Sequence, residues 1–174
     1  MRSVEYAIVY DSRTGNTRQL AEAIADLLPA EECLACGRVE DVDQATIDAA
    51  ERVYVGFWTN KGYCSDEIAT LLVGLAGREV FLFGTAGFGS DETYFAGVAA
   101  RVLANLPGSA EVVGTFMCQG RMPLSVRTRY ERMAIENPSQ AARMQQMIEN
   151  FDQAATHPDV NDLARLRAAI EAAS

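Results

Sequence analysis

The sequence has little of what a membrane segment requires. Its apolar residues come in short runs, and none approaches the roughly 20 residues that a membrane-spanning helix needs. No apolar leader follows Met1-Arg2-Ser3. We therefore expect a cytoplasmic protein that does not interact with a membrane.

Residues that bind metals are also scarce. There is one histidine, His157, and there are four cysteines, Cys33, Cys36, Cys64 and Cys118, so a zinc site would need nearly all of them to converge. Cys33 and Cys36 form a C-x-x-C motif, but the motif lies in a predicted strand and lacks the surroundings of a thioredoxin-like site. We expect buried or partly buried free thiols and no metal site.

Basic residues are outnumbered by acidic ones. The chain carries 15 lysines and arginines against 24 acidic residues, a net charge of −9. Such a charge repels nucleic acid and favours partners with basic docking surfaces. At 174 residues and 49% apolar content, the chain is long enough for one core, and we expect a single domain over residues 1–174.

Short apolar runs alternate with helical repeats along the chain. The runs predict strands at residues 6–10, 32–35, 53–57, 80–83 and 112–118. Helical spacing of apolar residues follows each of the first four strands, and three more helices are predicted after the fifth. This alternation predicts an α/β fold with a parallel sheet and right-handed crossovers, followed by extra C-terminal helices.

The loop after the first strand leads directly into a helix. In an open parallel sheet, ligands bind beyond the carboxyl ends of the strands, so this loop is a candidate site. It combines hydroxyls, a flexible glycine and free backbone N–H groups at a helix N-terminus, which suits a phosphate. Its candidate residues are Ser12, Arg13, Thr14, Gly15, Asn16 and Thr17. The alternative is a serine and threonine cluster that only caps the helix.

Other nucleotide motifs are missing from this loop. It has neither the G-x-x-x-x-G-K-[ST] of a P-loop nor the G-x-G-x-x-G of a dinucleotide fold. ATP chemistry and NAD binding by those routes are therefore not expected.

The first strand and its loop resemble a known signature. Ile8-Val9-Tyr10 and then Ser12, Gly15, Thr17, Ala21 and Ile24 match the phosphate-loop pattern of flavodoxins, and the resemblance covers roughly residues 4 to 155. It implies FMN as cofactor and a flavodoxin-like three-layer sandwich with sheet order 2-1-3-4-5. It also implies that Ser12, Thr14, Asn16 and Thr17 surround the FMN phosphate, with Arg13 near it or turned to solvent.

The loop after the third strand contains the only tryptophan. Trp58 suits a stacking platform for a flat ring, although ordinary burial in the core is the alternative. The resemblance implies that this loop gives one aromatic wall of the flavin site and a backbone group facing N5 of the ring. The candidate residues are Phe57, Trp58, Thr59, Asn60, Lys61 and Gly62.

The loop after the fourth strand is rich in glycine, which lets backbone approach a ligand closely. Its candidate residues are Thr85, Ala86, Gly87, Phe88 and Gly89, with Tyr94 at the start of the next helix. Flavodoxins usually have a tyrosine wall here, but Glu92 stands at that position. Either Phe88 or Tyr94 must therefore replace it, with Tyr94 slightly favoured, or that face of the ring is open. Ordinary burial in the core is the alternative for both residues.

Other functions of this architecture lack their residues. A receiver domain needs an acidic cluster and a lysine after the fifth strand, a low-molecular-weight phosphatase needs Cys-x5-Arg, and an α/β-hydrolase needs G-x-S-x-G; none is present. The resemblance implies an electron carrier between a reductase and a partner redox enzyme, as a monomer or weak dimer. The alternative is an FMN-dependent oxidoreductase acting directly on a quinone, a porphyrinogen or a similar small substrate.

A cluster of arginines follows the fifth strand in this acidic chain. Arg121, Arg127, Arg129 and Arg132 are predicted to form a contact surface for a partner or a second copy. A solvated helix face is the alternative.

Overall fold

The strands and helices alternate as the sequence pattern predicts. The computed structural model describes residues 3–89 and 91–174. The strands are β1 (Tyr6–Tyr10), β2 (Cys33–Arg38), β3 (Arg52–Trp58), β4 (Glu79–Ala86) and β5 (Glu111–Gln119). The helices are α1 (Asn16–Leu27), α2 (Gln44–Ala49), α3 (Asp66–Val73), α4 (Glu92–Leu103), α5 (Leu124–Glu136), α6 (Ala141–Ala154) and α7 (Val160–Ala173).

The strands form one parallel sheet in the order β2-β1-β3-β4-β5. The predicted fold class, sheet order and C-terminal helices are therefore confirmed. One face of the sheet packs against α1 and α7, and the other packs against α2, α3 and α4. Central strand residues such as Ile8, Val55 and Leu82 are fully buried, and each such side chain contributes about 1.5 to 3 kcal/mol.

Helix starts differ in how they are capped. Asp43, Ser65, Asp91 and Asp159 each accept a hydrogen bond from a backbone N–H in the first turn of their helix. Helix α1 has no side-chain cap on its N-cap residue, Gly15, which adopts a left-handed φ of 89°. The N-terminus of α1 is therefore the one among these five that is open to a ligand.

Helices α5 and α6 form a hairpin inserted between β5 and α7. Helix α5 buries none of its residues, whereas α6 buries Met144, Ile148, Phe151 and Ala154. Arg127 of α5 pairs with Asp152 of α6 at 3.0 Å and also with Glu131. Arg127 therefore joins the two helices, and its charge is already paired within the protein.

The junction between α6 and α7 is held by a buried carboxylate. Asp162 is 1% exposed. Its Oδ2 lies 2.6 Å from His157 Nδ1 and accepts a hydrogen bond from Asp159 N at 2.9 Å. Its Oδ1 accepts a hydrogen bond from Arg165 at 2.5 Å. Burial raises the pKa of Asp162, but these hydrogen bonds outweigh it and hold that pKa below its ordinary value. The backbone N–H of Arg121 donates to His157 O at 3.0 Å, so this junction also holds the segment after β5.

Two predictions about individual residues need correction. Trp58 is the last residue of β3, paired with Thr85, and does not stand in an exposed loop, because β3 and β4 continue past their apolar runs. Cys36 is exposed because β2 is an edge strand with alternating burial. No helix in the described part of the chain is long and apolar enough to span a membrane.

Candidate functional site

A cavity of about 1100 Å³ opens where the carboxyl ends of β1, β3 and β4 meet. This is the position at which the winding direction of the sheet reverses, where ligands bind in such folds. Residues from the loops after β1, β3, β4 and β5 and from the α5–α6 hairpin line it. The predicted site residues that it brings together are Arg13, Thr14, Asn16, Trp58, Thr59, Asn60, Lys61, Gly62, Thr85, Ala86, Gly87, Phe88 and Tyr94.

The remaining predicted residues do not line this cavity. The hydroxyl of Ser12 accepts a hydrogen bond from Arg18 N at 3.3 Å. Thr17 is fully buried, and its hydroxyl donates to Phe57 O at 3.2 Å and lies 3.1 Å from the hydroxyl of Thr85. These contacts support α1 and join the first loop to the ends of β3 and β4. A phosphate contact of Ser12 and Thr17 stays a prediction.

Phe57, Gly15 and Gly89 shape the site without placing a side chain in the cavity. The Phe57 ring is fully buried against Gly84, where a Cβ atom would come within 2.5 Å of it. Gly15 and Gly89 have positive φ angles of 89° and 80°, which suit glycine. These two glycines therefore allow the backbone of the loops after β1 and β4 to turn as it does.

The first turn of α1 offers backbone donors. The first helical hydrogen bond runs from Gln19 N to Gly15 O at 3.0 Å, so Asn16 N and Thr17 N have no carbonyl partner within the helix. There is no acidic residue in this turn. Because the helix dipole is positive here, the turn favours an anion.

Arg121, just after β5, contacts this turn and was not among the predicted binding residues. Its carbonyl accepts hydrogen bonds from Asn16 Nδ2 at 2.8 Å and from Thr14 Oγ1 at 3.4 Å. Its guanidinium lies beside Gly15, with one nitrogen 3.9 Å from where a Cβ of that residue would be. Arg121 thus gives the loop a positive charge. The sequence places this arginine more than 100 residues away, so only the fold reveals the contact.

The segment after β3 folds as a tight hairpin turn. Asn60 and Tyr63 exchange two backbone hydrogen bonds of 2.8 and 3.1 Å. Lys61 and Gly62 between them have φ angles of 51° and 77°, the pattern of a type I′ turn. Arg101 donates to Gly62 O at 3.1 Å, which fixes the peptide groups of this turn at the cavity wall.

The Trp58 ring is half-buried and held in place by two contacts. Its Nε1 donates to Asp11 Oδ2 at 3.0 Å. The guanidinium of Arg13 lies 5.5 Å from the ring centroid, within cation–π range. Arg13 is therefore placed against Trp58, and one face of the ring already has a partner.

Two aromatic rings stand at the β4 end of the cavity. Phe88 and Tyr94 meet edge to face, with centroids 5.9 Å apart. Tyr94 packs on Gly89, where a Cβ would come within 2.7 Å, and against the core below. Phe88 is 51% exposed. Phe88 is therefore the more accessible of the two rings, and Tyr94 is more firmly supported.

The loop after β4 is tied to the hairpin. Gly87 O accepts hydrogen bonds from Asn150 of α6 at 2.9 Å and from Gln119 at 3.4 Å. Met122 covers Gly87 so closely that a Cβ there would lie 2.4 Å from it. Asn150 is a further contact that the sequence pattern did not reveal, because its partner is a backbone oxygen.

Two buried oxygen atoms on the cavity wall lack a hydrogen-bond partner among the described residues. They are Oδ1 of Asn16 and Oγ1 of Thr59. An unsatisfied buried polar atom is costly, so each atom requires a partner such as a water molecule or a ligand group. The wall therefore fits a ligand with an anionic end, hydroxyls and a flat ring.

Burial disfavours thiolate formation at two of the cysteines. Burial raises the pKa of Cys64 to about 11 and also raises the pKa of Cys118. Both thiols are protonated near neutral pH, which disfavours nucleophilic chemistry by them.

A family model described as "Flavodoxin domain" matches residues 7–171 of the chain. The chain belongs to the flavodoxin family. A "Flavodoxin-like domain-containing protein BilS" of Clostridium symbiosum (strain WAL-14163) is 40% identical, over 92% of this chain and 91% of that protein. A protein of the same description from Clostridioides difficile (strain CD3) is 26% identical, over 90% and 88%.

Solved structures agree with this family. A flavodoxin of Megasphaera elsdenii, in its two-electron reduced form, matches with a TM-score of 0.51 and 27% identity, over 64% of this chain and 84% of that one. Oxidised Flavodoxin 2 of Bacillus cereus shares the fold, with a TM-score of 0.59 and 18% identity over 97% of each chain. As a flavodoxin, the protein binds FMN, and the orphaned oxygens of Asn16 and Thr59 and the open N-terminus of α1 fit that cofactor.

Proposed function

We propose that the protein is an FMN-dependent electron carrier, which shuttles electrons between a reductase and a partner redox enzyme. Bound FMN accepts and releases electrons one or two at a time. The flavodoxin of Megasphaera elsdenii has been described in its two-electron reduced form. The observation that carries the proposal is the cavity lining: it combines an anion cradle with aromatic rings, and its described residues include no carboxylate, imidazole or thiol.

The residues have separate roles in holding the cofactor. The backbone N–H groups of Asn16 and Thr17, the hydroxyl of Thr14 and the guanidinium of Arg121 would bind the phosphate. Trp58 would cover one face of the ring, and Phe88 is accessible to cover the other. The peptide groups of the turn at residues 60–62 would face the edge of the ring.

The size of the cavity favours a second candidate function. About 1100 Å³ exceeds the roughly 300 to 1,000 Å³ of pockets that bury one drug-sized ligand. Tyr130 and Met147 of the hairpin extend the cavity wall beyond the loops after β1, β3 and β4. A small quinone or porphyrinogen could then be reduced beside FMN, which would make the protein an oxidoreductase in its own right.

Reconstituted electron transfer separates the two functions. NADPH, a flavin-dependent reductase and cytochrome c would be mixed with the FMN-loaded protein, with FMN-free protein as control. A carrier should give cytochrome c reduction only when the reductase and the loaded protein are both present. If the loaded protein alone oxidises NADPH with a quinone and adds nothing to the reductase reaction, the carrier function is refuted and the enzyme is supported.

A further inference from the structure

The charge around the cavity is opposite to the charge of the whole chain. The chain has a net charge of −9. No acidic residue is present among the described residues that line the cavity. Six basic residues line it: Arg13, Lys61, Arg121, Arg129, Arg132 and Arg143. The binding of one phosphate accounts for Arg121 and its neighbours on the first loop, but not for the arginines of the hairpin.

The hairpin arginines at the cavity lack strong partners of their own. Among the described residues, Arg129 and Arg143 have no carboxylate within 4 Å, and Arg132 approaches Glu136 only at 3.9 Å. By contrast, Arg127 on the same helix is committed to two acidic side chains. The charges of Arg129 and Arg143 therefore have no ion-pair partner among the described residues.

An exposed aromatic side chain stands beside these charges. Phe88 at the cavity wall is 51% exposed, and Tyr130 of the hairpin also lines the cavity. Aromatic residues and arginine are enriched at protein-binding surfaces. We name the surface formed by Phe88, Arg129, Arg132 and Arg143 the basic rim.

We propose that the basic rim docks the acidic surface of a partner redox protein over the flavin edge. The proposal rests on the proposed carrier function, and names the kind of partner. The net charge alone favours a partner with a basic surface, but the local charge decides docking, because exposed charges act within a Debye length of about 8 to 10 Å.

A partner protein fits the rim better than a small anion. The guanidinium-bearing residues Arg129, Arg132 and Arg143 are all exposed, and they stand on two helices at the outside of the cavity. Small-ligand sites bury most of the ligand and hold it with a few enclosed polar groups. Exposed charges act mainly on the rate and orientation of protein encounters.

Stopped-flow electron transfer tests the proposal. The FMN-loaded protein would first be reduced with dithionite. It would then be mixed separately with three electron acceptors: cytochrome b5, which is acidic, cytochrome c, which is basic, and ferricyanide. Each reaction would be followed over a range of ionic strength. The double variant Arg129→Gln, Arg143→Gln would be compared with Arg38→Gln, Arg167→Gln. The control arginines, Arg38 and Arg167, are exposed and lie outside the cavity. Both double variants lose two positive charges, so they have the same net charge.

We expect salt to slow the reaction with cytochrome b5. At low salt, the rim variant should lower its second-order rate about threefold to tenfold, and the control variant less than twofold. Equal effects of both variants, or acceleration of the cytochrome b5 reaction by salt, would overturn the proposal. A rim effect confined to ferricyanide would also overturn it, in favour of a small-anion site. If the reduced flavin is present but oxidised by neither haem protein, the carrier function fails, and the docking proposal fails with it.

Discussion

Arg121 provides a direct test of how the phosphate is held. The substitution Arg121→Gln removes the charge beside Gly15 and keeps the backbone N–H and carbonyl that bind His157 and Asn16. We expect FMN to bind more weakly and riboflavin, which has no phosphate, to bind as before. The backbone contacts remain, so the fold should not change.

The structure sets the size of the effect. A hydrogen bond to a charged group contributes about 1.5 to 3 kcal/mol. Arg121 is exposed, so solvent screens its charge, and the lower part of that range applies. Since about 1.4 kcal/mol corresponds to a factor of ten, FMN affinity should fall about tenfold to thirtyfold.

Quenching of flavin fluorescence, titrated with FMN and with riboflavin, measures both affinities. Arg18→Gln is the matched control, because Arg18 also stands near the start of α1 but pairs with Glu22 and does not line the cavity. It should leave both affinities within about twofold, since exposed pairs of this kind contribute little. Equal losses for FMN and riboflavin with Arg121→Gln, or no loss at all, would show that the guanidinium does not bind the phosphate.

Three other substitutions test the structural roles. Thr17→Val removes a buried hydroxyl with two partners and should lower the free energy of unfolding of the FMN-free protein by about 1 to 3 kcal/mol, measured by urea denaturation. FMN should quench the fluorescence of Trp58, and Trp58→Ala should weaken FMN binding by about 1 to 3 kcal/mol without unfolding the protein. If the fluorescence of Trp58 does not change when FMN is added, the flavin binds elsewhere. Asp162→Asn should lose about 2 to 3 kcal/mol of stability near neutral pH. Because the folded pKa of Asp162 is lowered, this difference should persist above pH 4 and shrink as pH falls through the folded value; a pH-independent difference would contradict it.

The sheet and the first loop were predictable because their signals are local. The apolar runs of β1, β3 and β4 are strands buried on both faces, and the turn into α1 contains the donors of a helix start. The strand order came from the resemblance and is confirmed. The apolar run predicts that β4 ends at residue 83, because glycine and threonine follow it. In the structure, Gly84 and Thr85 pair with both neighbouring strands and Ala86 pairs with β5, which extends β4 through them.

Individual hydroxyls were harder to predict than the loop itself. Ser12, Thr14 and Thr17 look equivalent in the sequence, since each is a small polar residue at a helix start. In the structure only Thr14 lines the cavity, and all three hydroxyls make internal hydrogen bonds. A hydroxyl binds whichever partner the fold brings near, and those partners lie up to 107 residues away.

The segment after β5 joins the cofactor site to the C-terminal helices. Arg121 O holds Asn16 at the phosphate turn, and Arg121 N is held by His157, whose ring packs against the buried Asp162. A ligand that binds only the folded arrangement stabilises it, by about 2.7 kcal/mol at one hundred times its dissociation constant. FMN that binds the phosphate turn must therefore also stabilise the junction of α6 and α7. By the same linkage, loosening that junction must lower the affinity for FMN, although no residue of α7 lines the cavity.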